Sequence, residues 1–169
     1  MTDSLADRLK KLAEQHTTNE QAELSAKEHQ EKLNIFISDK SQPEYRRLLT
    51  LIQKRVEDIN PAIGDLPKFQ FTPGSQVVEQ GNSAAYIMFD KPIINRPDNA
   101  LLISFAPHQN AMYLFGPAPQ PERYRLQAAA SDGMDNIVWV GDLGELKSEQ
   151  LADFILEHLT QYYLEHKPK

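Results

Sequence analysis

Apolar residues recur along this chain in distinct rhythms, and each predicts a kind of element. Near the start, Leu5, Leu9 and Leu12 fall at intervals of four and three, the spacing of a helical stripe. The same register then passes through His16, Asn19, Glu23, Ala26 and Gln30 before it reaches Leu33 and Ile37. Its polar middle argues against a coiled coil of several heptads. The pattern predicts two shorter helices with a break at Thr17-Thr18-Asn19, where Thr18 and Gln21 have capping-box spacing. Only Leu33-Asn34-Ile35-Phe36-Ile37 is strongly apolar here, and this stretch is expected to dock on the rest of the chain.

A stronger helical stripe follows. Tyr45, Leu48, Leu49, Ile52, Val56 and Ile59 keep to one face and predict an amphipathic helix from Pro43 to Ile59. Ser41 has the chemistry of an N-cap for it, Pro43 suits a first turn, and Asn60-Pro61 should end it. Near the C-terminus, Leu151, Phe154, Ile155, His158, Leu159 and Tyr162 predict a second helix over 148–166, with Ser148 as its N-cap.

Between these helices the rhythm shortens. Strands are predicted over 68–72, 76–80, 84–90, 100–106, 111–116, 123–130 and 136–141, separated by turn residues such as Pro73-Gly74, Gly81-Asn82 and Asp132-Gly133. The connections are too short for parallel crossovers, so an antiparallel meander follows. Strand 123–130 alternates polar and apolar residues, whereas 84–89 and 111–115 are apolar on both faces. Such strands need cover on both sides, from helices, a curved sheet or a second subunit.

The fold class is therefore α+β. An antiparallel meander of five to seven strands is flanked by an amphipathic helix and a C-terminal helix. The domain should span 42–169, and a polar helical arm, 1–41, precedes it. The layout is similar to that of secretion-chaperone-like and helix-grip folds, and this likeness of order implies no function.

Composition narrows the chemistry. The chain has 169 residues, no cysteine and a net charge of −6. Without cysteine there is no disulfide, thiolate nucleophile or cysteine-ligated metal, and a reducing, cytoplasmic setting is the expectation. Residues 1–41 carry six positive and eight negative charges, and none of the other zones is net positive. With no basic segment, nucleic acid is not an expected partner. No apolar run exceeds the six residues Ala84–Phe89, so no membrane association is expected.

Signatures of catalysis are missing from the sequence. The five histidines lack metal-site spacing, no serine sits in a Gly-x-Ser-x-Gly elbow, and no glycine loop could cradle phosphate. No catalytic residue, metal ligand or cofactor is assigned. Asp90, Asp98, Asp142 and Glu145 sit at strand ends, where solvated acids accumulate, and a converging pair is the sole acid–base candidate. Gly116-Pro117-Ala118-Pro119-Gln120-Pro121 reads as a stiff connector. Arg46, Arg47, Lys54 and Arg55 read as a solvated helix face.

Two functional expectations result. The first is an intracellular binding or adaptor domain that engages a protein partner or a second copy of itself as a homodimer, with Leu5, Leu9 and Leu12 as the partner-binding residues. The second is a small-molecule site, an apolar cavity between a curved sheet and the C-terminal helix. Tyr86, Met88, Met112, Trp139 and His158 would line it.

Overall fold

The computed structural model describes residues 4–73, 83–90, 100–116 and 123–166. It contains helix α1 (Leu5–Ile59), strands β1 (Phe69–Thr72), β2 (Ser83–Phe89), β3 (Leu101–Ala106), β4 (Ala111–Phe115), β5 (Arg123–Ala130), β6 (Ile137–Gly141) and β7 (Gly144–Leu146), and helix α2 (Ser148–His166). The expected strand 76–80 and the proline-rich 117–121 lie outside the described residues. By its contacts the chain divides into two units, Met1–Phe36 and Ile37–Lys169.

In the first unit the expected break at Thr17-Thr18-Asn19 is absent, because both threonine hydroxyls turn back onto the helix. Thr17 Oγ1 donates to the Ala13 carbonyl at 3.0 Å and Thr18 Oγ1 to the Glu14 carbonyl at 2.9 Å. The helix is capped at Ser4, whose Oγ accepts from the Asp7 amide while the Ser4 amide donates to the Asp7 carboxylate. Good helix formers and one-turn pairs such as Gln30–Asn34 sustain it.

Ser41, the expected N-cap, lies inside α1 and is buried. Its hydroxyl donates to Asn110 Oδ1 at 2.8 Å, and Asn110 holds the left-handed conformation (φ 48°) in the turn between β3 and β4. Helix α1 also runs through Pro43, which carries no amide to donate. An interior proline costs about 3 kcal/mol. Burial of Tyr45, Leu48, Ile52 and Val56, at about 1.5–3 kcal/mol per large apolar side chain, outweighs that cost. Where the sequence suggests a helix start, tertiary burial carries the helix across.

The helix ends at Ile59 as Asn60-Pro61 requires. Asn60 then clamps the first strand: its Nδ2 donates to the Phe69 carbonyl at 2.9 Å and its Oδ1 accepts from the Phe69 amide at 2.8 Å.

Among the described residues the strands form one antiparallel seven-stranded sheet in sequential order, β1 to β7. The expected meander and α+β class are what the chain adopts. Strand β7 has no counterpart among the expected strands; Gly141 pairs with Gly144 across the two-residue turn Asp142-Leu143.

Register assigns the faces. Phe69, Ile87, Ile103, Phe105, Met112, Leu114, Leu126 and Trp139 share one side of the sheet. Both helices bury against this side. Tyr45 of α1 stacks on Phe105 with ring centroids 4.9 Å apart, and its hydroxyl donates to the Ile103 carbonyl. From α2, Tyr163 meets Phe89 at 4.9 Å and Phe154 meets Tyr124 at 5.9 Å. The opposite face presents exposed Tyr86 and Val140 and half-buried Met88 and Leu102.

One close approach has a measurable consequence. A Cβ on Gly141 would lie 2.1 Å from the Arg125 carbonyl oxygen on the neighbouring strand. Gly141→Ala should push β5 and β6 apart and destabilise the fold by about 1–3 kcal/mol in urea titrations. Gly144→Ala meets nothing within 4 Å and should be limited by its positive φ alone.

Candidate functional site

Ser148 is fully buried where α2 begins, and it does not cap that helix. The Lys147 carbonyl accepts the first helical bond, from the Leu151 amide at 2.9 Å, and the Lys147 amide is satisfied by Gln150 Oε1 at 2.9 Å. This frees the Ser148 hydroxyl for longer-range work. Its oxygen accepts from Trp139 Nε1 at 3.1 Å, and it donates to Glu44 Oε1 of α1 at 2.7 Å. Arg47 holds the same carboxylate, with Nη2 at 2.8 Å from Oε1 and Nε at 3.2 Å from Oε2, and Arg47 Nη1 reaches Glu149 at 2.8 Å.

This line of groups shapes its own electrostatics. Hydrogen bonds from Arg47 to Glu44 and then Glu149 push the guanidinium above its ordinary pKa. The Arg47 hydrogen bond, with a smaller part from the Glu149 backbone amide, holds the Glu149 carboxyl below its ordinary value. Beside these residues opens a polar cleft of about 710 Å³, lined in part by Arg47, Asp132, Asp135, Glu145, Lys147 and Glu149. Its charges are mixed, with two cations, Arg47 and Lys147, against four acids.

A second concavity is apolar. The end of α1, the following turn and the outer side of α2 enclose a groove of about 440 Å³ lined by Ile59, Ile63, Leu66, Phe69, Leu156 and Leu164. Its charged lining residues are both acids, Glu157 and Glu165, with Gln161 between them at helical spacing and hydrogen-bonded to Glu165. The sequence carries a faint sign of this groove: Ile63 and Leu66 are apolar residues stranded beyond the helix-ending Pro61, with no strand or helix to claim them.

The residues singled out from sequence scatter. Met112 and Trp139 are fully buried on the helix-covered face, whereas Tyr86 and Met88 lie on the opposite face. His158 sits on α2, stacked on Phe154 at 5.5 Å and edge-on to Tyr124 at 6.0 Å. The five therefore share no single face and line no common cavity. Register is the reason, since neighbouring residues of opposite parity point apart.

Leu5, Leu9 and Leu12 are exposed, at 64%, 56% and 61%. Of the strand-end acids, Asp98 lies outside the described residues. Asp90 accepts from the Lys68 amide next to β1, and Glu145 belongs to β7, at the other edge of the sheet. The Ser131–Asn136 segment is a hairpin turn, closed by Ser131 amide to Asn136 carbonyl at 2.8 Å. Among the described residues, no group of three or more metal-ligating side chains converges. None of the described helices is long and apolar enough to cross a membrane.

Comparison with known proteins returned no matching family model, no matching curated protein and no matching solved structure.

Two outcomes are expected of the groups that run from Trp139 through Ser148, Glu44 and Arg47 to Glu149. Ser148→Ala leaves the buried indole N–H without its acceptor and should cost about 1–3 kcal/mol in urea unfolding followed by the fluorescence of the single tryptophan. Because the Glu149 carboxyl titrates below its ordinary 4.5 when folded, its contribution is present above that pH and lost as pH falls through the folded value. Glu149→Gln should therefore lower stability slightly at neutral pH and converge with the parent in acid, which flattens the acid limb of stability against pH as measured by thermal melts.

Proposed function

We propose that this chain is a non-catalytic intracellular binding module of the adaptor kind, which holds a protein partner through Leu5, Leu9 and Leu12. The observation that carries the reading is the exposure of all three leucines on one stripe of an ordered helix. Residues 5–32 are exposed throughout. A polar helix without a buried face has little beyond propensity to sustain it. A partner surface that covers the stripe would supply about 1.5–3 kcal/mol for each leucine buried. An i, i+4, i+7 set of anchors is also the form in which amphipathic helices enter apolar grooves.

Other features agree with this reading. The strand-end acids Asp90 and Glu145 lie toward opposite edges of the sheet, which disfavours a pair between those two. A net charge of −6 with no basic zone favours protein over nucleic acid as the partner. The cysteine-free composition supports a reducing compartment.

The test is a quantitative pull-down with the full chain and with Leu5→Asp/Leu9→Asp/Leu12→Asp. Those side chains are already in solvent, so the variant should keep its melting temperature within about 2 °C. Capture of bound protein should fall at least about tenfold, equivalent to about 1.4 kcal/mol. Capture that is unchanged in the triple variant sinks the proposal.

A further inference from the structure

The apolar groove between the end of α1 and α2 is an open surface rimmed by acids, and the chain itself carries a complementary element. We propose that the groove receives the leucine stripe of a second copy of this chain. The proposal rests on the reading of Leu5, Leu9 and Leu12 as a binding element and names their partner.

Three observations support that occupant. The first is length. Leu5 to Leu12 spans seven residues, about 10 Å of helix, and the groove side of α2 from Leu156 to Leu164 spans eight, about 12 Å. The second is charge. The groove's charged lining residues, Glu157 and Glu165, are both acids, whereas residues 4–12 hold Arg8, Lys10 and Lys11 against the single acid Asp7. At 100° per residue, Arg8 falls about 60° to one side of Leu5, and Lys11 about 120° round on the same side. A helix seated on its leucines can thus turn this basic flank toward the acidic edge of α2. The third is surface chemistry. Leu164, exposed at 47%, lines the groove with the half-buried Ile59, Ile63 and Leu66, so among the described residues the groove offers an apolar floor. Reciprocal docking, each stripe in the other copy's groove, gives a closed two-fold pair.

Light scattering and sedimentation of the full chain over a range of concentrations test the proposal. A concentration-dependent dimer is expected. Arg8→Glu/Lys11→Glu should weaken it at least about tenfold, and Glu157→Lys/Glu165→Lys should do the same. Combining the two reversals in one chain should return the dimer to within about threefold of the parent, since the charges are then exchanged across the same contact. All four positions are exposed, so thermal melts should confirm that each variant remains folded.

A monomer at every concentration overturns the proposal, as does a dimer indifferent to the reversals or one not rescued by their combination. If the leucine triple variant abolishes the dimer while the charge variants leave it intact, the stripe binds a surface other than this groove and the assignment fails. If the leucines matter neither to capture nor to self-association, the binding-module reading fails as well. The two failures are thereby distinguishable.

Discussion

The indole N–H of Trp139, the hydroxyl of Ser148 and the carboxylate of Glu44 form one hydrogen-bonded line, at 3.1 and 2.7 Å, that joins the sheet, the start of α2 and α1. Trp139 and Ser148 are fully buried, so neither can exchange its partner for water. A donor left unpaired there would bear its whole desolvation cost, and this restricts how the two helices can sit on the sheet. The apolar contacts between the layers are stronger in sum but non-directional. The polar line selects one register among the many that burial alone would accept.

Around that line the structure hands capping duties to neighbours so that serines can serve elsewhere. Lys147 and Gln150 close the first turn of α2, which releases Ser148 to bridge Trp139 and Glu44. Ser41, in mid-helix, reaches Asn110 and so ties α1 to the turn between β3 and β4. Asn110 in turn accepts the Ala128 amide at 2.8 Å on its carbonyl, and that contact extends to β5. The surface ion pairs Arg47–Glu149 and Arg55–Asp153 join α1 to α2 at their rims. Exposed pairs of this kind add little stability individually. Their part is to orient rather than to hold.

Much of the architecture is legible from period alone. The stripe of α2, the stop at Asn60-Pro61 and six of the seven observed strands follow from repeats of 3.6 and 2 together with turn residues. The candidate sites are less legible. Tyr86 and Met88 on one side, Met112 and Trp139 on the other, look alike as apolar residues in strands, and only the pairing register separates them. Thr17, Thr18, Ser41 and Pro43 have the chemistry of helix boundaries, yet each lies inside α1. Local propensity is a weak prior that burial and back-bonding can override. The apolar groove was hidden because Ile63 and Leu66 belong to no periodic segment.

The sequence by itself determined the class of the fold, its antiparallel connectivity, the amphipathic faces and the exposed leucine stripe, because these depend on spacing within a few residues. Tertiary structure decided which sheet face the helices cover, what Ser41 and Ser148 do, and where an acid-rimmed groove opens. Those features depend on groups brought together from positions about 70 to 100 residues apart, as in Ser41–Asn110 and Glu44–Ser148. Pairings at that distance arise from register and burial, which no local pattern encodes.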